Sequence, residues 1–460
     1  MINTFIGLFA GFLGSFAFEP FAIWPLAIIS LGIWYQFISR QTLKQRLRVS
    51  YFFGLGILLP TQVWTGIYVG NLPWLMLCFM QALFFLIPSF FVGKNKRLNP
   101  TAFVCSYVLV ELTLRTVPFT GFGWTRLGFT QTDSLFRGIY PLLGVAAVTG
   151  TLAWISTIRN LRSLIITTLT ISLVYLIPNP VDLNGSIKIA LIQGGVVNLG
   201  LDFNDKPKEV FNRHVNQTQK SVTENQVDLI VWPENAVDVD VFKNKDVMES
   251  ITDISENLST PILVGGVTNS PNPRNQSMLF APSFTQVYTK RYLTPFGEYL
   301  PLRELAVKVS PHADQVNDFD AGSNPVVFQV DDYKFRSLIC YELLDDRFVI
   351  ENNQNFLLIQ TNNATFGDTA QLDQQLTIAK VRAAESSRHI AYVSTTGITS
   401  FINHKGEVES KLDKFTAGTL ISEMEISNGA TYAQRFGWMV EPLAIIALFI
   451  LLIVRRWGRQ

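Results

Sequence analysis

The chain has 460 residues, of which 48% are hydrophobic and 16% charged, with a mean hydropathy of +0.24 and a formal net charge of +1. A soluble domain carries about 25% charged residues, so this composition excludes a disordered or collagen-like chain and argues against an ordinary soluble enzyme. The near-zero charge conceals a split: residues 1–180 hold 12 Lys and Arg against three acids (Glu19, Glu111 and Asp133), near +9, which leaves residues 181–460 near −8.

Residues 1–180 read as a run of membrane-spanning helices, each of which needs about 20 mostly apolar residues. Seven candidates lie at roughly 3–18, 23–39, 50–70, 73–93, 101–116, 138–158 and 162–178, with the first two meeting in a tight hairpin at Glu19-Pro20. The first segment has no basic lead-in and is followed by six more apolar segments, so it does not read as a signal peptide. An eighth candidate spans about 433–454 and ends in Arg455, Arg456 and Arg459. The loops after helices 2, 4 and 6 carry Arg40, Lys44, Arg46 and Arg48, then Lys94, Lys96 and Arg97, then Arg159 and Arg162. By the positive-inside rule these loops are cytoplasmic, as are both termini, and residues 180–430 lie outside. Arg115, Arg126 and Arg137 fall on the outer side. Their bland reading is tolerance and their functional reading is contact with lipid phosphate. Glu19 and Glu111 should face the bundle interior or a wet cavity. Two acids among seven helices, with no repeat between halves, make a poor transporter.

From Ser186 the pattern changes to short β-rich runs alternating with amphipathic helices. Strands are expected at 187–193, 227–232, 261–267, 277–281, 287–293, 326–330, 335–340, 356–361, 391–395, 399–403 and 419–425, and helices at 207–223, 243–258 and 372–388. This mixture predicts one α/β domain over 186–428, between a membrane domain at 1–180 and a C-terminal membrane helix with a basic tail at 433–460. Cys78 and Cys105 lie in apolar runs, no CxxC occurs, and His214, His312, His389 and His404 are scattered and read as solvated surface or turn positions. No disulfide framework, metal or cofactor is expected. The glycine-rich run Gly121–Gly128 lacks the spacing and strand context of a dinucleotide site. The acidic polar domain gives no support for nucleic-acid binding.

Three places can carry chemistry: Val231-Trp-Pro-Glu-Asn-Ala236, with an acid directly after an apolar strand; Lys290 followed by Leu293-Thr-Pro-Phe-Gly-Glu-Tyr-Leu-Pro301; and Ser337-Leu-Ile-Cys-Tyr-Glu342, with a cysteine ending a strand. Singly, each has a plain explanation: a solvated acid, a surface lysine, a small buried hydrophobe. Together they form a nucleophilic set, because strand ends of an α/β sheet gather at one rim. A thiol must lose its proton to attack a carbonyl; a carboxylate can accept that proton; and an ammonium can stabilise the thiolate and the oxyanion. The set needs no histidine.

In that order and context, Glu234, Lys290 and Cys340 resemble the Glu-Lys-Cys triad of the nitrilase, or carbon–nitrogen hydrolase, superfamily. The lysine context through Pro301 and Ile339-Cys-Tyr-Glu342 resemble the apolipoprotein N-acyltransferase family, as do Ala17-Phe-Glu-Pro20 with Trp24-Pro25, and Thr120–Gln131. The resemblance covers nearly the whole chain and implies a bundle of about eight transmembrane helices joined to a nitrilase-like αββα sandwich outside the membrane. It implies transfer of an acyl chain from a phospholipid, through a Cys340 thioester, to the N-terminal amine of a diacylglyceryl-cysteine lipoprotein. Glu234 is then the base, Lys290 the oxyanion stabiliser, and Glu298, Tyr341 and Glu342 the supporting residues. The implied setting is a monomer in the bacterial inner membrane with its catalytic domain on the periplasmic side. The family's aromatic position after the apolar strand is Thr365 here, in Asn362-Asn-Ala-Thr-Phe-Gly367, and no tryptophan stands near Leu201–Phe203. Arg382 and Glu385 read as an ordinary helix pair. Segment 305–319 reads as a lid over the site's mouth. The rival readings are a membrane-tethered amidase or nitrilase with the same triad on a small amide, and a receptor or transporter that does not need Cys340.

Overall fold

Side chains alternate faces along a strand, and the first strand of the polar part uses both faces. Ile187, Ile189 and Leu191 enter one apolar core, while Ala190 and Ile192 enter another. Leu229 and Val231 split from Ile230 and Trp232 in the same way on the next strand. A strand buried on both faces reads as a continuous apolar run, which is why these segments stand out in the sequence.

A computed structural model describes residues 2–93, 97–269, 271–309, 313–351 and 353–457. Lys94, Lys96, His312 and Arg459, named above, and residues 310–312 of the expected lid lie outside the described residues. The chain divides into two compact units, Met1–Pro180 with Thr431–Gln460, and Val181–Ala430.

In the second unit the strands are β1 (Asp182–Gln193), β2 (Leu229–Val231), β3 (Ile262–Asn269), β4 (Pro273–Phe280), β5 (Phe284–Thr289), β6 (Phe328–Val330), β7 (Tyr333–Ile339), β8 (Phe356–Thr361), β9 (Ile390–Ser394), β10 (Ser400–Ile402), β11 (Val408–Lys411) and β12 (Gly418–Asn428). They form two six-stranded sheets, ordered β12-β1-β2-β3-β4-β5 and β11-β10-β9-β8-β7-β6. The centre of each is parallel, β1-β2-β3 and β7-β8-β9, and the flanking pairs are antiparallel. One core fills the space between the sheets, with Leu191, Val231 and Leu263 facing Ile339, Leu358 and Val393. The second lies between the first sheet and the helices Glu209–Ser221 and Lys245–Asn257, through Phe211, Val247, Ile251 and Ile254. The helix Ala370–Ser386 covers the other sheet and is buried on most of its surface. Helices outside two facing sheets are the αββα sandwich of the nitrilase fold.

Four details differ from the sequence expectation. β5 covers Phe284–Thr289 rather than 287–293, so Lys290 lies beyond the strand and not within it. β11 has only four residues and half-buried polar side chains, so no apolar run announced it. β4 begins at Pro273 rather than Ser277, because Pro273, Arg274, Asn275 and Gln276 pair with β3 despite their polarity. His214 and His389 are not solvated: they are 0% and 1% exposed, and the His214 ring instead bonds the Val210 carbonyl oxygen at 2.8 Å.

The first unit is helical. Three stretches among the described residues are long and apolar enough to cross a membrane: Asn71–Phe91, Leu135–Ser156 and Tyr432–Arg456. Shorter apolar helices lie at Ile2–Ser15, Pro25–Ile38 and Leu161–Leu176. The helix expected at 50–70 runs instead from Leu43 to Thr61, where Thr42 and Gln45 cap its start, so it carries Lys44, Arg46 and Arg48 in its first turns. Ile2–Ser15 packs on it through small residues. A Cβ on Gly11 would stand 2.1 Å from the Phe53 carbonyl oxygen, so only glycine allows this approach.

The acid and bases of this unit meet inside it. Glu111, 2% exposed, accepts hydrogen bonds from Leu127 N at 2.8 Å, the Thr149 hydroxyl at 2.6 Å and Arg126 Nε at 3.4 Å. Arg126 is wholly buried and Arg115 pairs with Glu441, so neither offers its charge to lipid phosphate as the functional reading required.

Candidate active site

Glu234 follows β2, Lys290 follows β5 and Cys340 follows β7, so the fold brings three distant segments to one rim. β2 and β7 belong to different sheets, and a polar network between the sheets ties them. Ser277 and Ser337 hydroxyls lie 2.8 Å apart, Ser337 donates to Gln360 Oε1 at 2.8 Å, and Gln360 Nε2 donates to the Trp232 carbonyl oxygen at 2.6 Å. The turn beyond Trp232 packs tightly on β3: a Cβ on Gly265 would stand 2.3 Å from the Pro233 carbonyl oxygen.

Lys290, 1% exposed, lies between two carboxylates, with Nζ 2.8 Å from Glu298 Oε2 and 3.6 Å from Glu234 Oε1. Asn275 Nδ2 donates to both acids, at 2.8 Å each, and Asn362 N donates to Glu234 Oε2 at 2.8 Å. Thr294 N completes Glu298 at 2.8 Å. Buried charges need this kind of satisfaction.

Burial dominates the electrostatics and pushes Glu234 above the usual carboxylate range, with Lys290 opposing and Glu298 adding to the rise. Burial also opposes the charge on Lys290, but Glu298 and then Glu234 outweigh it and hold the ammonium above its ordinary range. Glu298 is the reverse of Glu234: burial would raise it, yet its closer contact with Lys290 holds it below. The Cys340 thiol is pushed up to about 12 by burial and by Glu234, against the pull of Lys290. The thiol is therefore protonated at neutral pH and needs a base, and of the two carboxylates flanking Lys290, Glu234 is the one whose proton affinity has been raised.

Cys340 sits at φ +50°, in the left-handed region, where β7 turns into a short 3-10 turn ending at Leu344. A non-glycine residue there costs about 1–3 kcal/mol and persists only if its surroundings hold it. Glu342 is part of that hold. It is wholly buried and accepts from Ile339 N at 2.8 Å, the Tyr288 hydroxyl at 2.7 Å, Arg291 N at 2.8 Å and Tyr292 N at 3.2 Å. One carboxylate thus ties the cysteine turn to the strand end that carries Lys290. Tyr341 is buried beside it, with its phenol pushed up by burial. Arg382 does more than pair with Glu385 at 2.6 Å: its Nε donates to the Leu343 carbonyl oxygen at 2.7 Å and its Nη2 to Asp346 at 2.8 Å, bracing the same turn.

Two residues absent from the sequence expectation complete the site. Asn275 bridges the carboxylates as described. Gln375 directs Nε2 at Cys340 Sγ, 3.5 Å away. Its Oε1 accepts from Asn363 Nδ2 at 2.7 Å, the Tyr392 hydroxyl at 3.0 Å and the Thr361 hydroxyl at 3.2 Å, so only the NH₂ can face the sulfur. The signal for Gln375 was a helix with buried glutamines, Gln371, Gln374 and Gln375, which an ordinary covering helix would replace with apolar residues. Thr365 lies partly exposed in the short turn Ala364–Phe366 just beyond Asn362 and Asn363. The expected lid holds a helix, Arg303–Val309, with Leu305 and Val307 exposed, and its far end is tied to the site where Phe319 N donates to the Glu298 carbonyl oxygen at 2.8 Å.

The family sequence model for carbon–nitrogen hydrolases matches residues 188–434. The chain belongs to the carbon–nitrogen hydrolase family. A second model, the apolipoprotein N-acyltransferase N-terminal domain, matches residues 10–158. An apolipoprotein N-acyltransferase of Haemophilus influenzae is 28% identical over 499 residues, covering 97% of this chain and 93% of its own length. The enzyme of that name from Mycolicibacterium smegmatis is 31% identical over 287 residues, 58% of this chain and 48% of its own length, so the match spans about half of that relative. A carbon–nitrogen hydrolase superfamily protein of Xanthomonas campestris, solved with an arsenic adduct in its active site, aligns over 52% of this chain and 91% of its own at 14% identity, with a TM-score of 0.41.

Proposed function

We infer that this chain is an apolipoprotein N-acyltransferase. The observation that carries the reading is the near end-to-end match to enzymes of that name, with the N-terminal part matched by their own domain model. A tethered amidase would need only the second unit.

The geometry supports the following roles. Cys340 attacks the ester carbonyl of a phospholipid acyl chain and its thiol proton passes to Glu234, while Lys290 stabilises the oxyanion. The intermediate collapses, and the lysophospholipid oxygen leaves with the proton from Glu234. An ester bond is broken and a thioester formed. The N-terminal amine of a diacylglyceryl-cysteine lipoprotein then attacks the thioester, gives a proton to Glu234, and the Cys340 thiol leaves reprotonated, so the product is an amide. Glu298 fixes Lys290 between two acids, Glu342 holds the cysteine turn with Tyr341 packed beside it, and Asn275 and Gln375 are positioning residues for Glu234 and the sulfur.

The membrane topology belongs to the same reading: about eight spans, both termini cytoplasmic, and the catalytic unit on the periplasmic side of the inner membrane. The basic loops Arg40–Arg48 and Arg159–Arg162 support it. Shorter apolar helices such as Ile2–Ser15 cross in this reading by packing against partners rather than by length alone.

The test is the intact mass of the purified protein after incubation with phosphatidylethanolamine carrying a mass-labelled sn-1 chain. A hydroxylamine-sensitive gain of one acyl mass, absent in Cys340→Ala, is expected. No adduct from any phospholipid on a folded protein would favour the tethered amidase.

A further inference from the structure

The catalytic groups follow the parallel strands β2 and β7, at one rim of the sandwich. The opposite rim carries a second cluster. His389 enters β9, His404 lies in the turn between β10 and β11, and Glu425 lies on β12 opposite Ser186, near the start of β1. His389 Nε2 stands 3.8 Å from Glu425 Oε2, beyond hydrogen-bond range, and the two imidazole rings have centroids 5.2 Å apart. One ligand atom from each of the three residues falls within 4.8 Å of the others.

The imidazoles lack the partners that buried rings normally have. His389 is 1% exposed, and Nδ1 of both His389 and His404 is buried without a hydrogen bond among the described residues. His389 faces Glu425 with Nε2, so its unpartnered Nδ1 is the ring nitrogen away from that carboxylate, and the unpartnered His404 Nδ1 is the atom that calls for an ion. Glu425 and Glu407 both act on Glu409, and His404 feels Glu425 and Glu407 together with the cation Lys405.

We propose that His389, His404 and Glu425 form a binding site for a divalent transition-metal cation, with Zn²⁺ the best fit. Two imidazoles and one carboxylate are a recognised zinc donor set, with water in the fourth position, and bonds of about 2 Å put tetrahedral ligands about 3.3 Å apart. The ligand atoms, within 4.8 Å of one another, would have to close by up to about 1.5 Å to reach that spacing. β9 and β10 belong to one sheet and β12 to the other, so the ion clasps the two sheets at the rim away from the chemistry.

The experiment titrates the full-length protein in detergent with ZnCl₂ against a chromophoric chelator, and follows the melting temperature with and without ZnCl₂. His404→Ala and Glu425→Gln are the variants to compare, because these side chains are at least partly exposed and their loss leaves the core intact. Wild type is expected to bind one more Zn²⁺ per chain than His404→Ala, to bind it about tenfold or more tightly than Glu425→Gln, and to melt higher with ZnCl₂, an increase both variants lose. The difference between proteins cancels zinc held by Cys340, which all of them keep. Equal stoichiometry and affinity in wild type and both variants, or a zinc-independent melting temperature in wild type, would overturn the proposal.

Discussion

Each unit of the molecule buries a carboxylate beside a base, and the two arrangements are balanced differently. In the helical unit Glu111 pairs with Arg126, and its oxygens also accept from Leu127 N and the Thr149 hydroxyl. In the catalytic unit two carboxylates share one ammonium, and a thiol lies in the same field. The first is a single acid held by a guanidinium, a hydroxyl and a backbone N–H. The second has an acid in excess, and the shorter contact assigns the ammonium to Glu298, so Glu234 is left under-compensated and ready to take a proton. Burial is common to both; charge balance separates the brace from the acid proposed above as the base.

The comparison breaks most sharply at the excess acid. Glu234→Gln should keep the fold and lose about 10²–10⁴ in the rate of Cys340 acylation, the range for removing a general base, measured by single-turnover mass spectrometry. Acylation at the wild-type rate would remove Glu234 from the mechanism. Next is the shared cation. Lys290→Met leaves two buried carboxylates without a counter-charge and should destabilise the catalytic unit by about 3–5 kcal/mol, seen as a lower melting temperature. The double variant Glu111→Gln/Arg126→Met removes both partners together and should change stability by only about 1 kcal/mol, with acylation preserved. A large loss of acylation there would mean the Glu111–Arg126 pair is more than a brace. The smallest effect is expected at Gln375. Replacing Gln375 with Ala removes one N–H···S contact, worth about 1–3 kcal/mol where a charged group is involved, and should lower kcat for acylation about tenfold while KM stays near its wild-type value. An equal change in both would make Gln375 a substrate contact instead.

Much of this site was legible in the sequence, for a physical reason. Glu234 and Cys340 each end an apolar run that is buried on both faces, and such runs in an α/β chain end at a common rim. Glu298 and Glu342 were marked only by resemblance, and the structure gives them hydrogen-bond partners: Lys290, Asn275 and Thr294 N for the first, Tyr288 and three backbone N–H groups for the second. Asn275 was hidden because β4 starts among polar residues, and a strand-end reading placed that start at Ser277. Gln375 carries only a faint signal, three glutamines at 371, 374 and 375 on one helix, because burial of a glutamine cannot be told from exposure in sequence. His389 was misplaced for the same reason: one histidine after an arginine carries no signal of burial, and only the pairing of β9 with β8 puts it inside. The helical unit was legible as helices from their apolar content, whereas the ends shifted where capping residues such as Thr42 extend a helix into charged sequence.

The central claim is that Glu234 accepts the Cys340 proton because Glu298 and burial hold its pKa high. The most direct test is the pH dependence of the single-turnover acylation rate in wild type and in Glu298→Gln. Acylation requires Glu234 ionised, so the rate should fall as pH drops through its raised pKa, giving an acid limb above the ordinary carboxylate value of about 4.3. Lys290, held above its ordinary range, should add no alkaline limb near neutrality. Removing Glu298 takes away a like charge and leaves Lys290 to Glu234 alone, so the acid limb should move to lower pH. An acid limb at the ordinary carboxylate value in wild type, or one that does not move in Glu298→Gln, would contradict the account.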